Sequence, residues 1–254
     1  MYIMNCLDWS VALLLLVYNV TIIVLYIFYN DISFTQVGTF ATVFTHLAAI
    51  PPLFLSKSLL FWVIFLTTIA STLYHMAQVG WFGDDLLETG WYIPSDHPLR
   101  RIDHGFSIAL VFLVSVTIWY DTIPTLWIIL VTFVLMSISV AYINTVFLIP
   151  IREWIALIIV FIDIIVVSCQ KLKNKNKSVL WLGLFVFIIS AIFYAVATRY
   201  VIQGWEWYIH SAWHVNVYSS IYIVLRAQKK IPVFIRTARF EPSAPNSNVK
   251  RVYI

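Results

Sequence analysis

Long apolar runs broken by short polar stretches organise this chain from end to end. A helix rises about 1.5 Å per residue, so roughly 20 apolar residues match a hydrocarbon layer about 30 Å thick. Eight such runs can be drawn, at about 9–29, 34–55, 58–79, 103–120, 123–147, 151–169, 179–200 and 205–227. The breaks between most of them are brief: "NDISF", "SKS", "DTIP", "KLKNKNK". One connection is long, 80–101, "GWFGDDLLETGWYIPSDHPLRR". It is acidic and aromatic and holds two prolines, which predicts an extramembrane loop. Beyond Arg226 the chain turns basic and then rich in Ser, Pro and Asn, the composition of a segment that buries no core.

Composition sharpens this pattern. Hydrophobic residues make up 61% of the 254 and charged residues 11%. Ordinary soluble domains hold about 45–50% and about 25%. The excess runs the whole length, so a single water-soluble core is excluded. The expected fold is all-α: a polytopic membrane helix bundle. Its expected parts are an N-terminal extra transmembrane helix in 1–33, a seven-helix core over 34–227 and a basic tail over 228–254. Cys6 and Cys169 are the two cysteines, and they form no disulfide framework.

The net charge of +4 reads as topology rather than as nucleic-acid binding. With the tail placed in the cytoplasm and the runs alternated backwards, twelve of the 16 Lys and Arg fall inside. Four, Arg100, Arg101, Arg152 and Arg199, fall outside. That bias is the positive-inside pattern. No basic residue flanks run 9–29. Against a cleaved signal peptide there stand the missing basic n-region, the length of the apolar run and the absence of small residues at "VLYIFYN". Under this orientation the Asn176-Lys177-Ser178 sequon lies in a cytoplasmic loop.

The polar residues inside the runs carry the candidate chemistry, because ionisable groups are costly in a membrane. His210 and His214 stand four apart in "YIHSAWHV", so both face one side of a helix. Ser71 and His75 have the same spacing in "STLYHM". Asp103 opens run 103–120. The charge-derived topology sets all five in the outer leaflet. Three imidazoles from two helices suit zinc and leave a fourth position open, as catalytic sites do. Bound zinc lowers the pKa of its water to about 7 and polarises a carbonyl. Asp103 is the candidate proton acceptor, and Ser71 a candidate hydrogen-bond donor to it or to a developing oxyanion. Blander roles stand beside these. Paired histidines also make interhelical hydrogen bonds, serine is common at helix contacts, and Asp103 suits a helix cap or an ion pair with Arg100 or Arg101. His46 and His104 fit packing or interfacial roles, and Asp163 and Asn144 fit hydrogen bonding inside the bundle.

Ser71-x-x-x-His75, Asp103 and His210-x-x-x-His214 together resemble the CREST superfamily of seven-helix membrane proteins. Within it, "AIPPLFLSKS", "STLYHM", "CQKLKNKNK" and "WEWYIHSAWHV" look like the branch of myomaker and the post-GPI-attachment lipase. The acidic motif typical of the ceramidases is absent; "RRIDHGFS" stands there. The resemblance implies a zinc ion held by His75, His210 and His214, with Asp103 and Ser71 beside it. It implies either a zinc-dependent hydrolase of a lipid amide or ester at the outer or luminal leaflet, or a non-enzymatic fusion or receptor protein with structural zinc. The expected partner is a membrane lipid, as substrate or ligand, with no nucleic acid. The expected setting is the plasma membrane or secretory pathway.

Overall fold

The structure, a computed structural model, describes residues 6–28, 41–56, 59–78, 98–119, 130–132, 134, 151–169, 176–199 and 206–228. They are helical almost throughout, with no strand among the described residues. We label the long helices α1 (Cys6–Phe28), α2 (Ala41–Leu55), α3 (Leu59–Gln78), α4 (Pro98–Trp119), α5 (Ile151–Cys169), α6 (Lys177–Arg199) and α7 (Glu206–Arg226). The all-α expectation holds. Of the expected run 123–147 only 130–132 and 134 are described, and they are helical. The stretch 79–97 and the tail from 229 lie outside the described residues.

Among the described residues, three helices are long and apolar enough to cross a membrane: Leu59–Gln78, Leu99–Ile118 and Lys177–Tyr194. Many of their residues are Ile, Val, Phe or Thr, middling helix formers in water. In an apolar setting the helix forms regardless, because it pairs every interior N–H and C=O within one segment. The side chains are sorted the same way. Trp9, Leu13 and Leu16 of α1, Trp62 of α3, Phe161 of α5 and Phe185 of α6 face outward. Thr67, Ser71, Ser115, Asp163 and Ser190 are buried. Polar groups turned in and large apolar groups turned out are the arrangement a lipid solvent favours.

α7 is the axis of the bundle. It packs against α6, α1, α2 and α4, and its side chains meet α3 as well. Its His210, Ser211, His214, Asn216, Ser219 and Ser220 are all buried. α6 lies closest to it. Ser220 Oγ donates to the Gly183 carbonyl at 2.8 Å, and a Cβ added at Gly183 would stand 2.8 Å from Val224 Cγ2. The small residue lets the two backbones approach. At their shared end the Asn176 N–H donates to the Ala227 carbonyl at 2.8 Å. Asn176 Oδ1 accepts from the Val179 N–H at 3.3 Å, so the sequon asparagine is the N-cap of α6.

α1 lies antiparallel to α7 along a polar seam. Asp8 accepts from Tyr222 Oη at 2.7 Å and from Arg226 Nε and Nη2 at 2.9 and 3.2 Å. Further along, Asn19 and Asn216 exchange hydrogen bonds at 3.2 and 2.9 Å. Each amide also donates to the carbonyl four residues back in its own helix. Next, Ser211 Oγ donates to the Tyr208 carbonyl, which leaves it to accept from Tyr18 Oη. The N-terminal helix is therefore bonded along its length into the bundle.

α4 begins at Pro98, five residues before the sequence expectation. Proline is at home in the first turn, where its missing N–H has no intrahelical partner to lose. Asp103 thus sits inside the helix and is not its cap. Asp163 of α5 accepts from Ser115 Oγ of α4 at 2.8 Å, the interior hydrogen-bonding role expected of it.

Candidate metal centre

Three helices bring four imidazoles together. α3 contributes His75, α7 contributes His210 and His214, and α2 contributes His46. All four are buried. The rings of His75, His210 and His214 form a near-equilateral triangle, with centroids 4.9, 4.9 and 4.8 Å apart. His75 Nε2 lies 3.0 Å from His214 Nε2 and 3.3 Å from His210 Nε2. The rings of residues 75, 210 and 214 are neighbours, but the ring nitrogens that lie close enough together for one metal ion are those of His46, His75 and His214.

His46 is the addition. Its ring centroid is 4.1 Å from that of His214 and 5.4 Å from that of His75. Ring nitrogens of His46, His75 and His214 all lie within 4.8 Å of one another, close enough to hold one metal ion. The sequence pattern gave no reason to single it out. A lone histidine has no partner one turn away, and Pro51 and Pro52 follow closely. Those prolines also explain its position. They lack N–H groups and crowd the carbonyls of Leu47 and Ala48, so the turn Thr45–Ala49 tightens to a 3-10 helix. That turn alters the helical phase at which His46 is presented. The Thr42 hydroxyl, donating to the Trp207 carbonyl at 3.1 Å, fixes α2 to the start of α7.

Hydrogen bonds choose the tautomers. His46 Nδ1 is 3.0 and 3.1 Å from the carbonyls of Thr42 and Val43. Carbonyls only accept, so Nδ1 carries the proton and Nε2 carries a lone pair. That Nε2 is buried and has no hydrogen-bond partner. His75 Nδ1 faces Gln78 Oε1 at hydrogen-bonding distance. The Gln78 amide is oriented by its own donation to Tyr74 Oη at 3.0 Å, so it presents oxygen, and His75 Nε2 is again a lone pair. Ligating histidines are held in this way, with the far N–H donated to a carbonyl-type oxygen.

No family model, characterised protein or solved structure gives a significant match to this chain.

A wall of rings seals the cluster. Tyr74 packs on His75 at 4.9 Å, Trp213 on His210 and His214 at 5.3 and 4.5 Å, and Tyr218 approaches His46 at 6.3 Å. Buried lone pairs without donors cost about 1–3 kcal/mol each. His214 or His210 can give one N–H to His75 Nε2, but His46 Nε2 stays without one. A divalent cation would take the lone pairs of His46, His75 and His214 together. Nitrogens roughly 2.0–2.1 Å from one tetrahedral ion are about 3.3 Å apart, close to the separations around His75. The donor set fits a metal ion.

Ser71 and Asp103 are buried at 3% and 7% exposure. Ser71 lies one turn from His75 on the inner face of α3. Thr67 Oγ1 donates to the Phe106 carbonyl at 3.2 Å and sets the antiparallel register of α3 and α4. Four residues along α3 from Thr67 is Ser71, and three back along α4 from Phe106 is Asp103. The two therefore share a level, about one helical turn from His75. His104 is buried beside Tyr74, 6.5 Å between rings.

Proposed function

We propose that the chain is an integral membrane protein with a zinc centre, and that it hydrolyses a lipid amide or ester at the outer or luminal leaflet. The single observation that carries this is the buried imidazole cluster of His75, His210 and His214. Nitrogen donors without carboxylates suit zinc among common ions. The resemblance to the CREST superfamily, with its seven-helix core preceded here by α1, agrees in residue type and order.

When bound, zinc would polarise a carbonyl and make water more acidic. The chain's own residues would supply the rest. His75, His210 and His214 would hold the ion, with Gln78 keeping His75 in its ligating tautomer. Asp103 is the residue to take a proton from water and return it to the leaving group. Ser71, at the same level, would orient that carboxylate or donate to the developing oxyanion. The aromatic wall excludes bulk water and strengthens both interactions.

Lipidomic comparison of membranes from cells expressing wild type and Asp103→Asn tests the chemistry. Wild type should lower one amide or ester lipid and raise its free acid, and the variant should lose at least about a hundredfold of that turnover. Equal turnover would remove Asp103 from the chemistry. A second reading, a non-enzymatic fusion or receptor protein with structural zinc, is favoured by one observation. A ring nitrogen of His46 lies within 4.8 Å of those of His75 and His214, which offers the centre a ligand beyond the three-histidine set, as closed structural sites have.

A further inference from the structure

We propose that His46 is a fourth protein ligand of the centre, so that the resting shell is four imidazoles from α2, α3 and α7. This inference rests on the metal-centre reading and departs from its open, three-histidine form. Two independent observations support it. The first is proximity, with ring nitrogens of His46, His75 and His214 mutually within 4.8 Å. The second is the tautomer. The carbonyls of Thr42 and Val43 hold the Nδ1 proton, which commits Nε2 to being a lone pair, and that atom is buried without a partner. A residue present only for packing would have no need of a lone pair pointed nowhere. The same hydrogen bonds supply the outer support that ligating histidines have.

The position of His46 gives this ligand a particular character. His75, His210 and His214 stand on regular helix. His46 stands on a 3-10 turn followed by two prolines, whose missing N–H groups take two bonds out of the helical ladder. A shell completed by His46 offers no free position while α2 stays seated. A substrate carbonyl would reach the centre only when this turn shifts, so His46 makes α2 the element that opens or closes the site.

The test is His46→Asn in the full-length, detergent-purified protein. Asparagine keeps an amide N–H where Nδ1 stands, able to donate to Thr42 and Val43, and removes Nε2. X-ray absorption at the zinc edge should count four imidazoles in wild type and three in H46N. Chelator competition should show zinc held at least about tenfold more weakly. Added imidazole should restore the four-nitrogen spectrum. If H46N is not monodisperse by size exclusion, His46→Gln answers the same question, with one imidazole fewer expected. Stoichiometric zinc with an unchanged shell in the variant overturns the fourth ligand and leaves the three-histidine centre standing. Wild type purified without zinc overturns the centre and this proposal together.

Discussion

Two sets of buried polar groups hang on opposite flanks of α7, and they are satisfied in opposite ways. On the α1 side every donor meets an acceptor: Asp8 with Tyr222 and Arg226, Asn19 with Asn216, Tyr18 with Ser211. On the α2 and α3 side the acceptors outnumber the donors, and His46 Nε2 is left without one. His46 Nε2 and His75 Nε2 are both acceptors by tautomer, and they stand among the rings of His210 and His214. The seam is complete as it stands and needs nothing more to hold α1 in place. The imidazole cluster leaves His46 Nε2 without a hydrogen-bond partner, and its ring nitrogens lie close enough to hold one metal ion. Buried polar residues are thus informative by their pairing, and burial alone does not separate a structural group from a functional one.

Variants at each flank sharpen this contrast. The largest effect is expected from His75→Ala, which removes the nitrogen at the middle of the cluster. Zinc affinity should fall more than about a hundredfold, since even outer-shell partners are worth about 10–100-fold. Elemental analysis after dialysis reads this, and retained zinc would count against the cluster as a metal site. Next is Asp8→Ala, which leaves Arg226 facing an apolar helix. A loss of about 2–3 kcal/mol is expected in thermal melts in detergent, with zinc content unchanged. If that variant lost zinc while still folded, the two flanks would not be separable.

Gly183→Leu acts on both flanks at once, because it pushes α6 away from α7. Its Cβ would meet Val224 at 2.8 Å, so about 1–3 kcal/mol of stability should go. The smallest effect belongs to the asparagine pair. Asn19→Leu or Asn216→Leu alone should cost about 1 kcal/mol by stranding the other amide. The double replacement should recover most of that, and a double-mutant cycle with additive losses would show that the two amides do not support each other.

Sequence spacing reveals part of this arrangement and hides the rest for physical reasons. His210 and His214, four apart in an apolar run, have to share a helix face, and His75 draws notice because imidazole is costly there. The level shared by Ser71 and Asp103 follows from helix order and length. His46 is hidden because its place beside His75 and His214 depends on the 3-10 turn that Pro51 and Pro52 impose, which alters the phase of everything before them. Asp8 is hidden because its partner lies 218 residues away and charge counting for topology follows Lys and Arg alone. The start of α4 is misjudged by pattern because Arg100 and Arg101 read as loop, although Pro98 is a good first-turn residue.

The most direct measurement of the centre is the zinc content of the wild-type protein, purified in detergent without added metal and dialysed free of loosely held ions. Inductively coupled plasma mass spectrometry should find about one zinc per chain, as one set of imidazoles requires. A monodisperse, folded protein holding no transition metal, and taking none up on addition of zinc, would contradict it.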